Sequence, residues 1–520
     1  MDFNLIDERW IPCIGKDGKR EEVGVREALS RAHELAAIRD PSPLVTAALH
    51  RLLLAVLHAA LRGPKNLDEW AALYGGGRLD LPAVAKYLDR WRGRFNLFDN
   101  ARPFYQVAGF DLPEALPAAQ LAHETAGGNN PSLFDHTTDD RPPALPFAAC
   151  ARLLVANQAF ALGGGVGPTS SMFGKHPYRT HAPCVGGVMA LLQGDSLFAT
   201  LTLNLLVYAR ASPFDQDPAA DRPAWERDGP IRPGPRVPTG YLDLLTWQSR
   251  CIRLVPDVGG VCWMHYAQGE VLDARPREPA WFYRLDRNNE PTPVRLNPER
   301  ALWRNADSLF AFSAADTASE RRPVAFRQVA TLYRRGVLAG RERWRCALFG
   351  LANDQAKVLL WAREDLPVPA ALLESEEAVT RLRAALERCE EAGRALRDAL
   401  QDLARGLLVF APAAAGGRKP DRKAVQDVAE SLQGEPLFWA SLELPFKRFL
   451  ADLPAQGEAG VRDWLKEVCT TARRAFHRAA ENSMGLGARE LKARVEAERY
   501  LNARLHGIQQ QVPEPQGGDA

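Results

Sequence analysis

The stretch VTRLRAALERCEEAGRALRDALQDLARGL, residues 379–407, sets the architecture. Its seam positions are Val379, Leu382, Leu386, Cys389, Gly393, Leu396, Leu400, Leu403 and Leu407, and they advance by three and four residues in alternation. At about 3.6 residues per turn, that spacing draws one stripe along a long helix. A stripe so regular needs partner helices packed along it. Helices expected at about 424–453, 459–482 and 486–506 supply them, and four antiparallel helices close naturally into a bundle. The bundle is placed at 369–506, after the break in DLPVP (365–369). The tail GIQQQVPEPQGGDA (507–520) is expected to be disordered.

Upstream of 368 the pattern changes. FNLIDERWIPCI (3–14) reads as strand, and 23–35, 42–61, 81–95 and 146–160 read as helices. Residues 111–145 crowd Gly, Asn, Pro, Asp and Thr into a long loop, a composition often tied to function. From 163 to about 365 the expectation is strands and turns, with LFATLTLNLLVYA (197–209) among the strands. RWRCALFG (343–350) and KVLLWARED (357–365) form a hairpin around LANDQA. The fold class is therefore α+β: a large mixed domain, 1–368, followed by a four-helix bundle.

The chain has 520 residues, 46% hydrophobic and 25% charged, values ordinary for a globular protein. A net charge of +2 excludes a histone-like polycation but leaves room for local basic faces. Apolar runs such as 197–209 are too short and too polar to span a bilayer. The acidic start MDFNLIDERW has no signal-type apolar core, so a cytoplasmic location is expected. Eight cysteines are scattered with no C-x-x-C pair, which signals free thiols and no zinc ribbon.

FALGGGVGPT (160–169) is the first candidate for chemistry. A phosphate-binding Walker loop needs Gly-Lys-Ser/Thr at its end; Gly174-Lys175 is followed by His176. A dinucleotide fingerprint fails at Pro168. The glycines then serve either a plain loop or a backbone that must approach a surface closely. His123, His136, Asp135, Asp139 and Asp140 cluster in the long loop without metal-ligand spacing, so no metal or other cofactor is expected. No nucleophile elbow or paired acid/base carboxylates stand out, and nothing marks an enzyme. The polar tip LANDQA, carried on a hairpin, can reach base edges or wedge between base steps.

The opening FNLIDERWIPC, the loop GGNNPSLFDHT (127–137), the run LGGGVG (162–167) and the tip NDQA (353–356) occur in this order ahead of a helical bundle. Together they resemble the large subunit of the type I-E CRISPR surveillance complex, the CasA family of Cascade, over nearly the whole chain. The resemblance implies a DNA-reading subunit that recognises the motif adjacent to a target, nucleates strand separation and R-loop formation, and helps recruit a helicase-nuclease. Its partners would be the guide CRISPR RNA, double-stranded DNA and the backbone and small subunits, with no membrane. By position, Asn129, Asn130, Leu133 and Phe134 would dock at the guide RNA. Gly163, Gly164 and Gly165 would enter the minor groove of the adjacent motif, with Arg275 or Arg277 as the accompanying cation. Gln355 would be the wedge, flanked by Asp354 and Ala356. The family pattern has Asn where this chain has Asp354, and a carboxylate cannot donate a hydrogen bond. Arg473, Arg474 and Arg478 in the bundle would face the displaced strand. Two other readings stay open: a purely architectural subunit, and a phosphoester-processing enzyme with the glycine loop as anion site and His176 or His181 as base.

Overall fold

The computed structural model describes residues 1–122, 142–164, 179–208, 219–229, 231, 233–273, 277–312, 321–338, 340, 344–408, 420–482 and 487–510. The chain separates into two compact units, one of Met1–Leu309 and Ser313–Leu366, the other of Phe310–Phe312 and Pro367–Ala520.

The first unit is built around the helix Pro43–Leu61, whose residues from Leu44 to His58 are all buried. The helix is long and apolar enough to cross a membrane, so the expectation that no apolar run is long enough fails here. It is instead a core helix, and it carries Arg51 paired at 2.8 Å with the equally buried Glu278. The helices Leu81–Trp91, Phe147–Phe160 and Tyr241–Leu245 pack against it.

Among the described residues, three three-stranded sheets contact these helices. Ile11–Gly15 pairs antiparallel with Arg20–Val23 and with Leu35–Ile38. Arg250–Asp257 pairs with Gly260–Gln268, which also takes Leu116–Pro117. Trp344–Asp354 lies between Lys357–Val368 and Met189–Gln193, in register from Arg345↔Gln193 to Phe349↔Met189.

Several local expectations are corrected. The helix read at 23–35 ends at Ser30, because Leu35–Ile38 is drawn into the first sheet. LFATLTLNLLVYA begins as a helix, Leu197–Asn204, capped by Ser196, whose Oγ accepts from the Ala199 N–H. All eight of its helical residues are buried, so no polar face revealed the period. The region read as strands and turns also contains the amphipathic helix Val324–Arg334.

In the second unit, Glu376–Leu408 forms one continuous 33-residue helix whose buried face includes the seam from Val379 to Leu403. The expected helix at 424–453 is two helices. Arg422–Ser431 stops before Gln433, which takes φ +55, and a new helix starts at Gly434. A Cβ on Gly434 would stand 2.8 Å from a Leu400 methyl, so the helix begins with its backbone against the seam. A second break at Gly457 (φ 53) divides Gly434–Asn482 near the expected loop. The last helix, Ala488–Gln510, runs four residues past the expected limit at 506, with Ile508 buried. The seam reaches its partners closely: a Cβ on Gly393 would meet the Trp439 ring at 2.4 Å.

A candidate nucleic-acid interface

The glycine run leaves the helix Phe147–Phe160 and immediately pairs with the chain at 179–182. The Ala182 N–H donates to Ala161 O at 2.9 Å, and the Gly164 N–H to Arg179 O at 2.8 Å. Between them the Gly163 N–H donates to His181 Nδ1 at 2.9 Å. A Cβ on Gly163 would meet Arg179 O at 2.7 Å and His181 N at 2.8 Å. Gly163 is therefore glycine because two backbones touch there. It is buried in the stem, whereas Gly164 beside it is partly exposed.

The stem is fastened to the hairpin Arg250–Asp257/Gly260–Gln268 through one fully buried guanidinium. Arg250 donates from Nη2 to Leu162 O and Thr180 O, both at 2.8 Å, and so ties together the two sides of the stem. Its Nη1 donates to Ser249 O at 2.8 Å and its Nε to the Tyr266 hydroxyl at 3.0 Å. Gln158 holds the Arg250 backbone, accepting from its N–H and donating to its carbonyl, each at 2.9 Å. The Thr180 N–H donates to Gln268 Oε1 at 2.7 Å. Sequence reading missed Arg250, Gln158, Tyr266 and Gln268. A lone Arg at a strand start carries no local signal, because its partners come from three separate segments.

The hairpin Trp344–Asp354/Lys357–Val368 closes with the two-residue turn Gln355–Ala356, tighter than the six-residue tip read from sequence. Gln355 sits in the left-handed region at φ +51. The Asn353 side chain donates to Gln355 O at 2.7 Å and rigidifies the turn. Asp354, Gln355, Ala356 and Lys357 are all exposed. The hairpin base is fixed: Glu364 accepts from the N–H groups of Leu302 and Trp303, both at 2.8 Å, and Arg363 reaches Gln193 at 3.1 Å.

The two candidate elements meet. Gly164 has φ +111, a conformation L-residues rarely adopt, and a Cβ there would stand 2.8 Å from Ala356 Cβ. The glycine stem and the hairpin turn, far apart in the chain, thus form one tip whose glycine backbone lies against a methyl group and beside an exposed glutamine.

The remaining candidates fall as follows. Asn129, Asn130, Leu133, Phe134, Gly165, Arg275, His123, His136 and His176 lie outside the described residues. Arg277 is stacked 4.2 Å over the Tyr283 ring. Arg474 and Arg478 are exposed one turn apart, the latter 3.7 Å from Glu481, while Arg473 is half-buried and donates from Nε to Asn502 at 2.9 Å. Among the described residues no group of three or more His, Cys, Asp or Glu could hold a metal. All eight cysteines are free, and burial pushes the thiols of Cys13, Cys150, Cys184 and Cys251 up to about 12, away from reactivity.

The glycine stem and the hairpin turn sit on an α+β unit that is joined in the same chain to a helical unit. The family model for the CRISPR-associated protein Cse1 matches residues 4–475. The chain is 38% identical to the CRISPR-associated protein CasA/Cse1 of Thermus thermophilus, over 98% of both chains. It superposes on a crystal structure of Thermus thermophilus CasA with a TM-score of 0.81 and 32% identity, covering 98% of this chain and 100% of that one. It also shares its fold with a chain of a CRISPR RNA-guided surveillance complex, with a TM-score of 0.77, 22% identity and coverage of 96% and 99%. The chain belongs to the CasA/Cse1 family, a structural subunit of type I-E Cascade.

Proposed function

We propose that this chain recognises the motif beside a guide-matched target in double-stranded DNA and starts strand separation there. The observation that carries the reading is the contact of Gly164 with Ala356. A minor groove about 6 Å wide admits a backbone more readily than bulky side chains. A glycine stem braced by a buried arginine can enter it without deforming, and the neighbouring Gln355 is then held at the first base pairs of the target. Exchanging DNA pairing for RNA–DNA pairing is nearly balanced in free energy, so a wedge acts on the opening of the first pairs. The degenerate minor-groove pattern favours tolerance of several related motifs.

In this reading the chain acts without catalysis: His181 offers its Nδ1 lone pair to the Gly163 N–H and so works as a fastener of the stem. The loop around Asn129, Asn130, Leu133 and Phe134 docks on the guide RNA, Arg474 and Arg478 offer charge to the displaced strand, and the assembled complex recruits the helicase-nuclease.

The test is a binding titration of the assembled complex on duplexes drawn from a library randomised beside a guide-matched target. Selected and unselected duplexes are compared at fixed salt, for wild type, Gly164→Asp and Gln355→Ala. The reading expects Gly164→Asp to erase the preference with assembly intact. It expects Gln355→Ala to keep the preference but slow opening of the first pairs. Unchanged preference and unchanged opening in both variants would overturn it in favour of an architectural subunit.

A further inference from the structure

The stem of the glycine run holds two guanidinium groups on one tyrosine. Arg250 Cζ lies 6.0 Å from the centroid of the Tyr266 ring and Arg179 Cζ lies 5.2 Å from it. Arg250 is completely buried, and its donors are taken by three backbone carbonyls besides the Tyr266 hydroxyl. All are neutral acceptors. Arg179 is half-buried, and its Nε is enclosed without a hydrogen-bond partner. Among the described residues neither guanidinium forms an ion pair with a carboxylate, although ion pairs are frequent elsewhere in this chain, as at Arg51–Glu278 and Arg227–Glu270. Burial lowers the Arg179 pKa below the ordinary arginine value; Tyr266 opposes this and the charge of Arg250 adds to it.

Two like charges in a desolvated place without a counter-ion cost free energy. Arg250 has an internal reason to be there, since it ties the stem. Arg179 has none: its main-chain carbonyl already holds the Gly164 N–H, and an apolar side chain could cover Tyr266. Arg179 is the direct backbone partner of Gly164, on the segment that returns alongside the glycine run. Stacking on Tyr266 presents the guanidinium as a pre-ordered fork suited to an anion with paired oxygens.

We propose that Arg179 binds a backbone phosphate of the DNA strand bordering the groove that Gly164 approaches. This site is for a phosphodiester and not for a base edge, so it fixes where the stem sits on the duplex and carries no sequence preference. The inference rests on the reading above that the glycine stem meets DNA.

The experiment measures affinity of the assembled complex from 50 to 200 mM salt, on selected and unselected duplexes, for wild type, Arg179→Gln and Arg179→Lys. Loss of one phosphate contact lowers the slope of log affinity against log salt by about 0.9, so the wild-type advantage over Arg179→Gln shrinks about three- to fourfold across that range. The expected result is this change, equal on both duplexes, with the preference ratio intact and the slope restored by Arg179→Lys. A slope unchanged in Arg179→Gln overturns the proposal and leaves Arg179 as a packing residue. A lost preference with unchanged slope overturns it in favour of base reading. A second measurement needs no variant: single methylphosphonate substitutions beside the motif remove one phosphate charge at a time. If none weakens wild-type binding, no phosphate contact exists there. Absence of any motif preference in the wild-type complex is a separate outcome, which removes the functional reading while the salt slopes still judge Arg179.

Discussion

Gly164→Ala adds one methyl group at the point where stem and turn meet, and its cost can be worked from the geometry. An L-residue held at the Gly164 φ of +111 pays about 1–3 kcal/mol of backbone strain. The new Cβ would also stand 2.8 Å from Ala356 Cβ, whereas carbon atoms rest about 3.5–4.0 Å apart. One side must therefore yield by about 0.7 Å or more. The hairpin base is held through Glu364 and Arg363. The displacement should thus concentrate in the exposed turn, at about 1 kcal/mol, the lower end of the range for overpacking. Ala356→Gly removes the obstructing methyl. The next atoms, Ala356 Cα and N, lie at 3.5 Å, an ordinary contact. The double variant should then recover the contact part and keep the strain, giving a favourable coupling of about 0.5–1 kcal/mol. Chemical denaturation of the four proteins, followed through the transition of the first unit, measures the cycle. Fluorescence of 2-aminopurine placed at the first target pairs reports whether the turn opens DNA in the assembled complex. Gly164→Ala should slow opening and the double variant should regain part of it. A double variant whose losses simply add, in both assays, would refute the claim that these two elements act as one tip.

Arg250→Met leaves the carbonyls of Leu162, Thr180 and Ser249 without their donor, which should cost on the order of 3 kcal/mol or more and lower the thermal midpoint of the first unit. A variant that melts with wild type would mean that the stem is held by other contacts. His58 gives a pH test. It is fully buried between Tyr208 and Tyr241, neither ring nitrogen has a partner, and burial lowers its pKa to about 3. Below pH 6.5 the unfolded chain takes a proton there that the folded chain refuses, so stability falls as pH drops from about 6.5 towards 3, by up to about 1.4 kcal/mol per pH unit. His50, lowered to about 4 by burial, adds in the same direction. Urea midpoints between pH 5 and 8 should show a shallower acid slope for His58→Leu than for wild type; equal slopes would contradict a neutral buried imidazole.

What was legible in the sequence was whatever depends on period and on order along the chain. The seam from Val379 onward announced its helix because one face is apolar and the other charged. The hairpin around NDQA declared itself through two β-rich runs. The ordered segments from FNLIDERWIPC to NDQA carried the family. Period failed where burial is complete. Leu197–Asn204 is wholly buried, and its Thr200, Thr202 and Asn204 alternate with leucines as in a strand, so the cap at Ser196 was the local sign of helix. It failed again where pairing overrides propensity, as when Leu35–Ile38 left a helical stretch to complete a sheet.

The sequence by itself determined that a glycine run and a polar hairpin tip exist, and that a helical unit follows them. Only the tertiary structure decided that Gly163 belongs to the stem, that Gly164 touches Ala356, and that Arg250 and Arg179 share Tyr266. The physical reason is range. Periodicity and turn chemistry act over a few residues and are written locally, whereas a van der Waals contact or a shared aromatic ring joins segments whose separation in the chain carries no record of their meeting.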